Sequence, residues 1–351
     1  MTPAVTGLII SPGEVMARHA AETGLVDALR ACGLLEPEEG AVFTPLAGGV
    51  SSDVFRVDTE GGRILAVKRS IPRLRVAAEW LAPVERAAGE VRWLNLARSI
   101  DPRLAPEVLA EAPETFVFAM RYLDPRANPV WKDEMAAGRV DPAFAAAVGR
   151  DLALIHGRTA GRADIALAFA TQDCFFALRT SPFLLFAADR HPDVAERLRA
   201  LAADLGARRI ALMHGDVSPK NILVGPEGPV FIDAECTAYG DPAFDLAFCL
   251  THLLLKTVWL RPHRVVLLAS FDALRNAYAA GMTWEPRDEL SGRAASLTAA
   301  LLLARIDGKS PAPYLTDPED KALVRDRAKT LLARRGLDLD GVADFWRRGA
   351  V

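Results

Sequence analysis

The chain has 351 residues, 51% hydrophobic and 25% charged, with a net charge of −3. This composition allows two lobes with sizeable cores and excludes a disordered chain, while the slight negative charge offers no general attraction to nucleic acid or membrane surfaces. Cys32, Cys174, Cys236 and Cys249 are scattered without a C-x-x-C pair, which argues against zinc and a disulfide scaffold and fits a reducing, cytoplasmic setting.

At the start, Leu8-Ile9-Ile10 is too short for a secretion signal and lacks preceding basic residues. Residues 12–34 carry apolar positions at helical spacing (Val15, Leu25, Val26, Leu29) between Ser11-Pro12 and Gly33, which predicts one or two packing helices. From 41 to 70 the pattern changes to three strands, with a Gly/Ser loop (Ala47 to Ser52) after the first and a Gly61-Gly62 turn after the second. Gly49, Ser51 and Ser52 of that loop are placed to lie over phosphates and donate backbone N–H groups. Lys68 ends the third strand in Leu65-Ala-Val-Lys68.

The segment Val76 to Ala97 is helical in period and carries Glu79, Glu85 and Glu90. Strands at 108–109 and 115–120, turning at Ala112-Pro-Glu114, complete a five-stranded sheet. Met120 to Leu123 leads into the loop Asp124 to Pro129, which divides a lobe of residues 1–124 from one of 125–351. A helix starts at Asp141-Pro142 and runs to about His156, a packed core histidine. Residues 163–208 read as helical, broken at Ser181-Pro182 and His191-Pro192.

Residues 210–235 organise the chain. A polar loop holds His214, Asp216, Lys220 and Asn221. Two apolar runs, 222–224 and 230–232, flank Gly225-Pro-Glu-Gly228 as a hairpin, and Asp233 stands at its exit. Phosphoryl transfer asks for this set: one carboxylate to orient or accept the acceptor's hydroxyl proton, and a second carboxylate with an amide oxygen to hold Mg2+. Asp216 and Asn221 have the kinase catalytic-loop spacing. Further on, Phe244 to Leu260 is the most apolar stretch, but Asp245, His252 and Lys256 mark it as a buried core helix rather than a membrane span. Helices follow at 262–281, 287–306 and 318–335, then a short tail.

His214-Gly-Asp216 with Asn221, then Ile232-Asp-Ala-Glu235 and Gly240-Asp-Pro-Ala-Phe-Asp-Leu-Ala247, resembles the aminoglycoside phosphotransferase and choline kinase superfamily of small-molecule kinases. The resemblance spans residues 41 to 250. It implies an α+β, bilobal protein-kinase-like fold: an antiparallel N-lobe sheet with a helix, a mainly helical C-lobe, and ATP with Mg2+ between them. By that likeness Lys68 pairs with Glu90 at the phosphates, with Glu85 in play if Pro83 starts the helix, and the backbone around Met120 and Tyr122 meets the adenine. Asp216 serves the acceptor hydroxyl, and Asn221 and Asp233 hold the metal. Lys220 is either a catalytic cation on the γ-phosphate or a solvated lysine. Glu235 either approaches the metal through water or touches the acceptor, and Asp241 either caps a helix or faces the acceptor. His214 orients the loop, and Asp245 braces its backbone.

The N-lobe carries −4 and the C-lobe +1. A polycationic aminoglycoside asks for a strongly acidic cleft, so the balance favours a sugar or amino alcohol as small-molecule hydroxyl acceptor. An aminoglycoside O-phosphotransferase and a non-catalytic nucleotide-binding regulator are the competing readings. A protein kinase is disfavoured because no Ala-Pro-Glu segment follows Asp233. GTP as donor and a homodimer both stay open.

Overall fold

The computed structural model describes residues 24–46, 51–75 and 80–349. Strands β1 (Ala41–Pro45), β2 (Ser52–Thr59), β3 (Ile64–Ser70), β4 (Val108–Ala112) and β5 (Val117–Arg121) form one antiparallel sheet in the order β1-β2-β3-β5-β4. Helix α1, described over residues 24–31, lays Leu25, Ala28 and Leu29 on one face of it, against Phe43, Phe55, Val57, Leu65 and Val67. That is the i, i+3, i+4 stripe of a packing helix. The rest of the segment expected to be helical from residue 12 lies outside the described residues.

Helix α2 (Arg86–Ile100) packs through Val91, Trp93, Leu94 and Ala97 into the larger core that also takes Phe118. Because β3 lies between these cores, alternate side chains point to different partners. Leu65 and Val67 face α1, while Lys68 points the other way, toward α2. Helix α2 begins ten residues later than the periodicity suggested, with Glu85 at its N-cap. Glu79 lies outside the described residues.

The helical lobe begins with α3 (Trp131–Ala136) and α4 (Pro142–Thr159). Asp141 caps α4 by accepting from the Ala143 N–H at 2.8 Å. Next come α5 (Ala163–Ala168), α6 (Gln172–Phe175), α7 (Phe186–Arg190) and α8 (Ala195–Ala207). Strand β6 (Ala211–Met213) pairs with β9 (Ala238–Gly240), and β7 (Ile222–Gly225) with β8 (Gly228–Phe231) across a Pro226-Glu227 turn. Helix α9 (Ala243–Trp259) is buried along nearly its whole length and is covered by α10 (Arg264–Gly281) and α11 (Arg287–Asp307). Helix α12 (Pro318–Leu332) follows. Among the described residues no single helix is long and apolar enough to cross a membrane.

Two expectations need correction. Ser181-Pro182 does not break the helix: the chain continues from α6 to α7 through π-helical turns over Phe176–Leu185. Pro182 lacks the N–H that would bond the carbonyls four and five residues back, those of Leu178 and Ala177. Side chains take both acceptors instead. Arg179 Nη1 donates to Leu178 O at 2.8 Å, and Trp80 Nε1, from the N-lobe, donates to Ala177 O at 3.1 Å. The short tail expected after residue 335 also holds a further helix. Residues Leu339–Arg348 form α13, whose Trp346 is fully buried and donates to Thr257 Oγ1 at 2.8 Å.

Gly149 lets α4 and α10 approach closely, since a Cβ there would stand 2.2 Å from the Leu274 carbonyl oxygen. Gly149→Ala is expected to lose about 2–3 kcal/mol in urea unfolding, because backbone blocks the added methyl and only a shift of the helices accommodates it. An unchanged midpoint would show that this packing yields at little cost.

Candidate active site

The loop between β6 and β7 is held from inside the C-lobe. Fully buried Asp245, one turn into α9, accepts from the backbone N–H groups of His214 (2.7 Å) and Gly215 (2.9 Å) and contacts His156 Nε2 at 3.3 Å. His156 also meets the Tyr278 hydroxyl at 2.8 Å. His214 Nδ1 accepts from the Asp216 N–H at 3.2 Å, and its Nε2 donates to Ile232 O at 3.0 Å. Burial lowers the His214 pKa, so the ring stays neutral, with one nitrogen accepting and the other donating. Gly215 has φ +80°, and a Cβ there would lie 2.2 Å from Cys236 O. That close approach accounts for glycine between His214 and Asp216.

Asp216 is buried; its Oδ2 accepts from Asn221 Nδ2 at 2.8 Å and is ion-paired with Arg179 Nη2 at 2.9 Å and Lys220 Nζ at 3.1 Å. Burial opposes its charge, but Arg179 and Lys220 outweigh burial and hold the carboxyl below the usual aspartate range. Asn221 spends its amide nitrogen on Asp216, which leaves its amide oxygen for another partner.

Asp233 sits beyond β8 with φ +64°, a left-handed backbone that few non-glycine residues adopt. Its Oδ1 accepts from Lys68 Nζ, and its Oδ2 lies 3.6 Å from Lys220 Nζ. Lys68, 3% exposed, also donates to Glu90 Oε2 at 2.6 Å. Burial works against the Lys68 ammonium, yet Asp233 and Glu90 raise its pKa; burial likewise opposes the Asp233 charge, and Lys68 and Lys220 lower its pKa nonetheless. Burial pushes Glu90 up to about 7 against the pull of Lys68, with Asp233 and Glu235 adding to the rise.

Glu235 is buried against Arg86 Nε at 3.0 Å and Ser52 Oγ at 3.4 Å. The Ser51 carbonyl also accepts from Arg86. Ser51 and Ser52 are therefore buried, tying the base of the Gly/Ser loop to the segment after Asp233, while Gly49 lies outside the described residues. Carboxylate oxygens of Glu90, Asp233 and Glu235 lie within 4.8 Å of one another. This oxygen-only set, with Glu90 Oε1 buried and unpartnered, suits a hard divalent cation.

Met120 and Tyr122 stand at the end of β5 and just past it, where the chain crosses to α3; Arg56 lies over the Tyr122 ring at 5.1 Å. Asp241 does not join the cluster. It is ion-paired with Arg293 (2.8 Å), lies 3.6 Å from Arg208, and accepts from the Ala243 N–H at 3.0 Å. Sequence reasoning missed Arg86 and Arg179. The available signal for Arg179 was a lone cation inside the apolar run from Phe175 to Phe186, since a buried arginine requires an acidic partner.

A model of the phosphotransferase enzyme family matches residues 42–262. A methylthioribose kinase of Enterobacter sp. (strain 638) is 26% identical over 261 residues, 66% of this chain and 64% of that protein, so the chain matches just under two thirds of that relative's length. A choline/ethanolamine kinase family protein from Mesorhizobium loti superposes with TM-score 0.54 at 19% identity, covering 93% of this chain and 99% of that one. Amicoumacin kinase in complex with AMP-PNP, Ca2+ and Ami superposes with TM-score 0.58 at 13% identity, covering 92% and 96%. At these identities the structural likeness establishes the bilobal, α+β kinase-like fold.

Two predictions follow from the charges and bonds. Asp216 and Asp233 titrate below about 3.9, the ordinary aspartate value, so the unfolded chain protonates first on acidification. The stability they confer is complete above that value and disappears as pH falls through their folded values. Urea midpoints should drop below about pH 4, and less steeply in Asp216→Asn; equal slopes would contradict the assignment. Asp245→Ala leaves two buried N–H groups unpaired and is expected to cost about 3 kcal/mol, read as a lowered urea midpoint.

Proposed function

The chain belongs to the phosphotransferase enzyme family, and we propose that it is a small-molecule kinase that moves the γ-phosphoryl group of ATP to a hydroxyl. The observation that carries this reading is the charge linkage Glu90–Lys68–Asp233–Lys220–Asp216, buried at Glu90, Lys68 and Asp216, which joins the sheet lobe to the catalytic loop. Lys68, held by Glu90, binds the phosphates, and the hinge backbone at Met120 and Tyr122 receives the adenine between a lobe of residues 1–124 and one of 125–351. Asp216 accepts a hydrogen bond from the acceptor hydroxyl and orients its oxygen toward the γ-phosphorus. As the new O–P bond forms, the bond to the bridging oxygen breaks, ADP keeps that electron pair, and the hydroxyl proton passes to Asp216 and then to solvent. Asp233 and Asn221, with Glu235 nearby, are the residues that would hold Mg2+, which when bound neutralises phosphate charge. Lys220 is placed to face charge developing on the transferred group.

For the acceptor, a sugar is favoured. The curated relative carries a sugar kinase's name, and Arg179 and Lys220 stand beside Asp216, which disfavours a polycationic aminoglycoside. Four unpaired cysteines fit a cytoplasmic enzyme, and nothing in its charge calls for nucleic acid or membrane as partner.

The test is acceptor-dependent ADP release with Mg-ATP across methylthioribose, amino sugars, choline, ethanolamine, homoserine and kanamycin. Turnover with methylthioribose or another uncharged sugar is expected, falling about 100-fold or more in Asp216→Asn. Turnover confined to kanamycin would overturn the acceptor reading. ATP binding with no turnover on any acceptor would favour a regulatory nucleotide binder.

A further inference from the structure

Arg86 is the first residue of α2, where a cation opposes the helix dipole, and no acidic residue stands in that first turn to offset it. Its side chain is nonetheless fully buried. Every nitrogen of the guanidinium donates. Nε donates to Glu235 Oε2 at 3.0 Å, Nη1 to Pro83 O at 2.7 Å and Ala82 O at 3.4 Å, and Nη2 to Ile71 O at 2.8 Å and to Ser51 O. The carbonyls all belong to the sheet lobe. Glu235 is the charged acceptor, and it belongs to the helical lobe.

Arg86 and Glu90 stand one turn apart on α2, a spacing at which opposite charges can pair. They do not. Glu90 gives Oε2 to Lys68, its Oε1 is buried without a partner, and Arg86 passes it by to reach Glu235. Helix α2 thus presents an anion to Lys68 and a cation to Glu235.

The placement answers a local need. Carboxylate oxygens of Glu90, Asp233 and Glu235 lie within 4.8 Å of one another, and like charges that close repel. Lys68 bonds to Glu90 and Asp233. Among the described residues, the cation paired with Glu235 is Arg86. A carboxylate has enough lone pairs to anchor a guanidinium and still face a metal ion.

We propose that Arg86 is a positioning residue for the divalent cation: its bond to Glu235 holds that carboxylate inside the oxygen cluster, and its bonds to Ser51 and Ile71 register the cluster to the sheet. The part a cation plays in phosphoryl transfer rests on the kinase reading above. The dependence of cation binding on Arg86, acting through Glu235, does not. An arginine that only clamps the segment from Ile71 to Pro83 would affect cation binding independently of Glu235 or not at all.

The experiment measures Mn2+ binding to the full chain, read from loss of the free-ion EPR signal, with and without ATP. The wild type should bind Mn2+, and more tightly with ATP. Arg86→Met should weaken binding about 10- to 100-fold, as for other groups that hold a metal's ligands, and Glu235→Gln should do likewise. In Arg86→Met/Glu235→Gln the loss should equal that of Glu235→Gln alone, because residues acting through one another are not additive. Losses that multiply overturn the proposal, as does unchanged binding in folded Arg86→Met. If Arg86→Met does not fold, the double variant, which buries no unpaired charge at residue 235, is compared with Glu235→Gln, and a further loss of about tenfold or more overturns the proposal. A wild type that binds no Mn2+ in either series also overturns it. If ATP does not strengthen Mn2+ binding, the kinase reading fails, and the series with Mn2+ alone still decides the role of Arg86. With an acceptor that supports ADP release, Arg86→Met should raise the Mg2+ concentration for half-maximal rate by the factor seen with Mn2+ and leave acceptor KM unchanged; a loss confined to acceptor KM overturns the proposal.

Discussion

Ionised groups buried where the two lobes meet must be matched by opposite charge, and that requirement organises the molecule. A charge removed from water without a partner is costly enough to neutralise or unfold its surroundings. Here each carboxylate has a cation from a different element. Lys68 of β3 answers Glu90 of α2 and Asp233 beyond β8, Arg86 of α2 answers Glu235, and Arg179 answers Asp216. Helix α2 therefore serves both lobes. It supplies Glu90 and Arg86 to the charge network, and Trp93 sets its edge on the His214 ring with centroids 4.7 Å apart.

Beneath this network lies a second layer that braces the loop between β6 and β7. Asp245 turns two backbone N–H groups of the β6–β7 loop inward, and His156 and Tyr278 complete its surroundings. Neutral His214 locks the loop to Ile232, next to Asp233. The two aspartates are thus positioned by one hydrogen-bonded scaffold, and the left-handed backbone at Asp233 is a strained conformation maintained by that surrounding order.

The region between residues 163 and 208 links the lobes in a way proline alone would not suggest. Pro182 empties two carbonyls, and the groups that fill them are an N-lobe indole and the arginine that reaches Asp216. A local defect in helix bonding becomes a contact between lobes and a contact with the loop that carries Asp216.

The strand periods, the Gly61-Gly62 turn, the hairpin after Asn221 and the order Lys68, Glu90, Asp216, Asn221, Asp233 were all legible in the amino-acid sequence, because local period and motif spacing encode them directly. So was the bracing role of Asp245, since a carboxylate one turn into an apolar helix has to find donors. Arg86 and Arg179, the commitment of Asp241 to Arg293, and the helix formed by the final residues were decided only by tertiary structure. In each case the determining quantity is burial beside a residue distant in sequence, and neither propensity nor spacing carries that information. Pro182 marks the limit most clearly: the residue alone signals a break, and only the neighbours that take its freed carbonyls let the helix pass through.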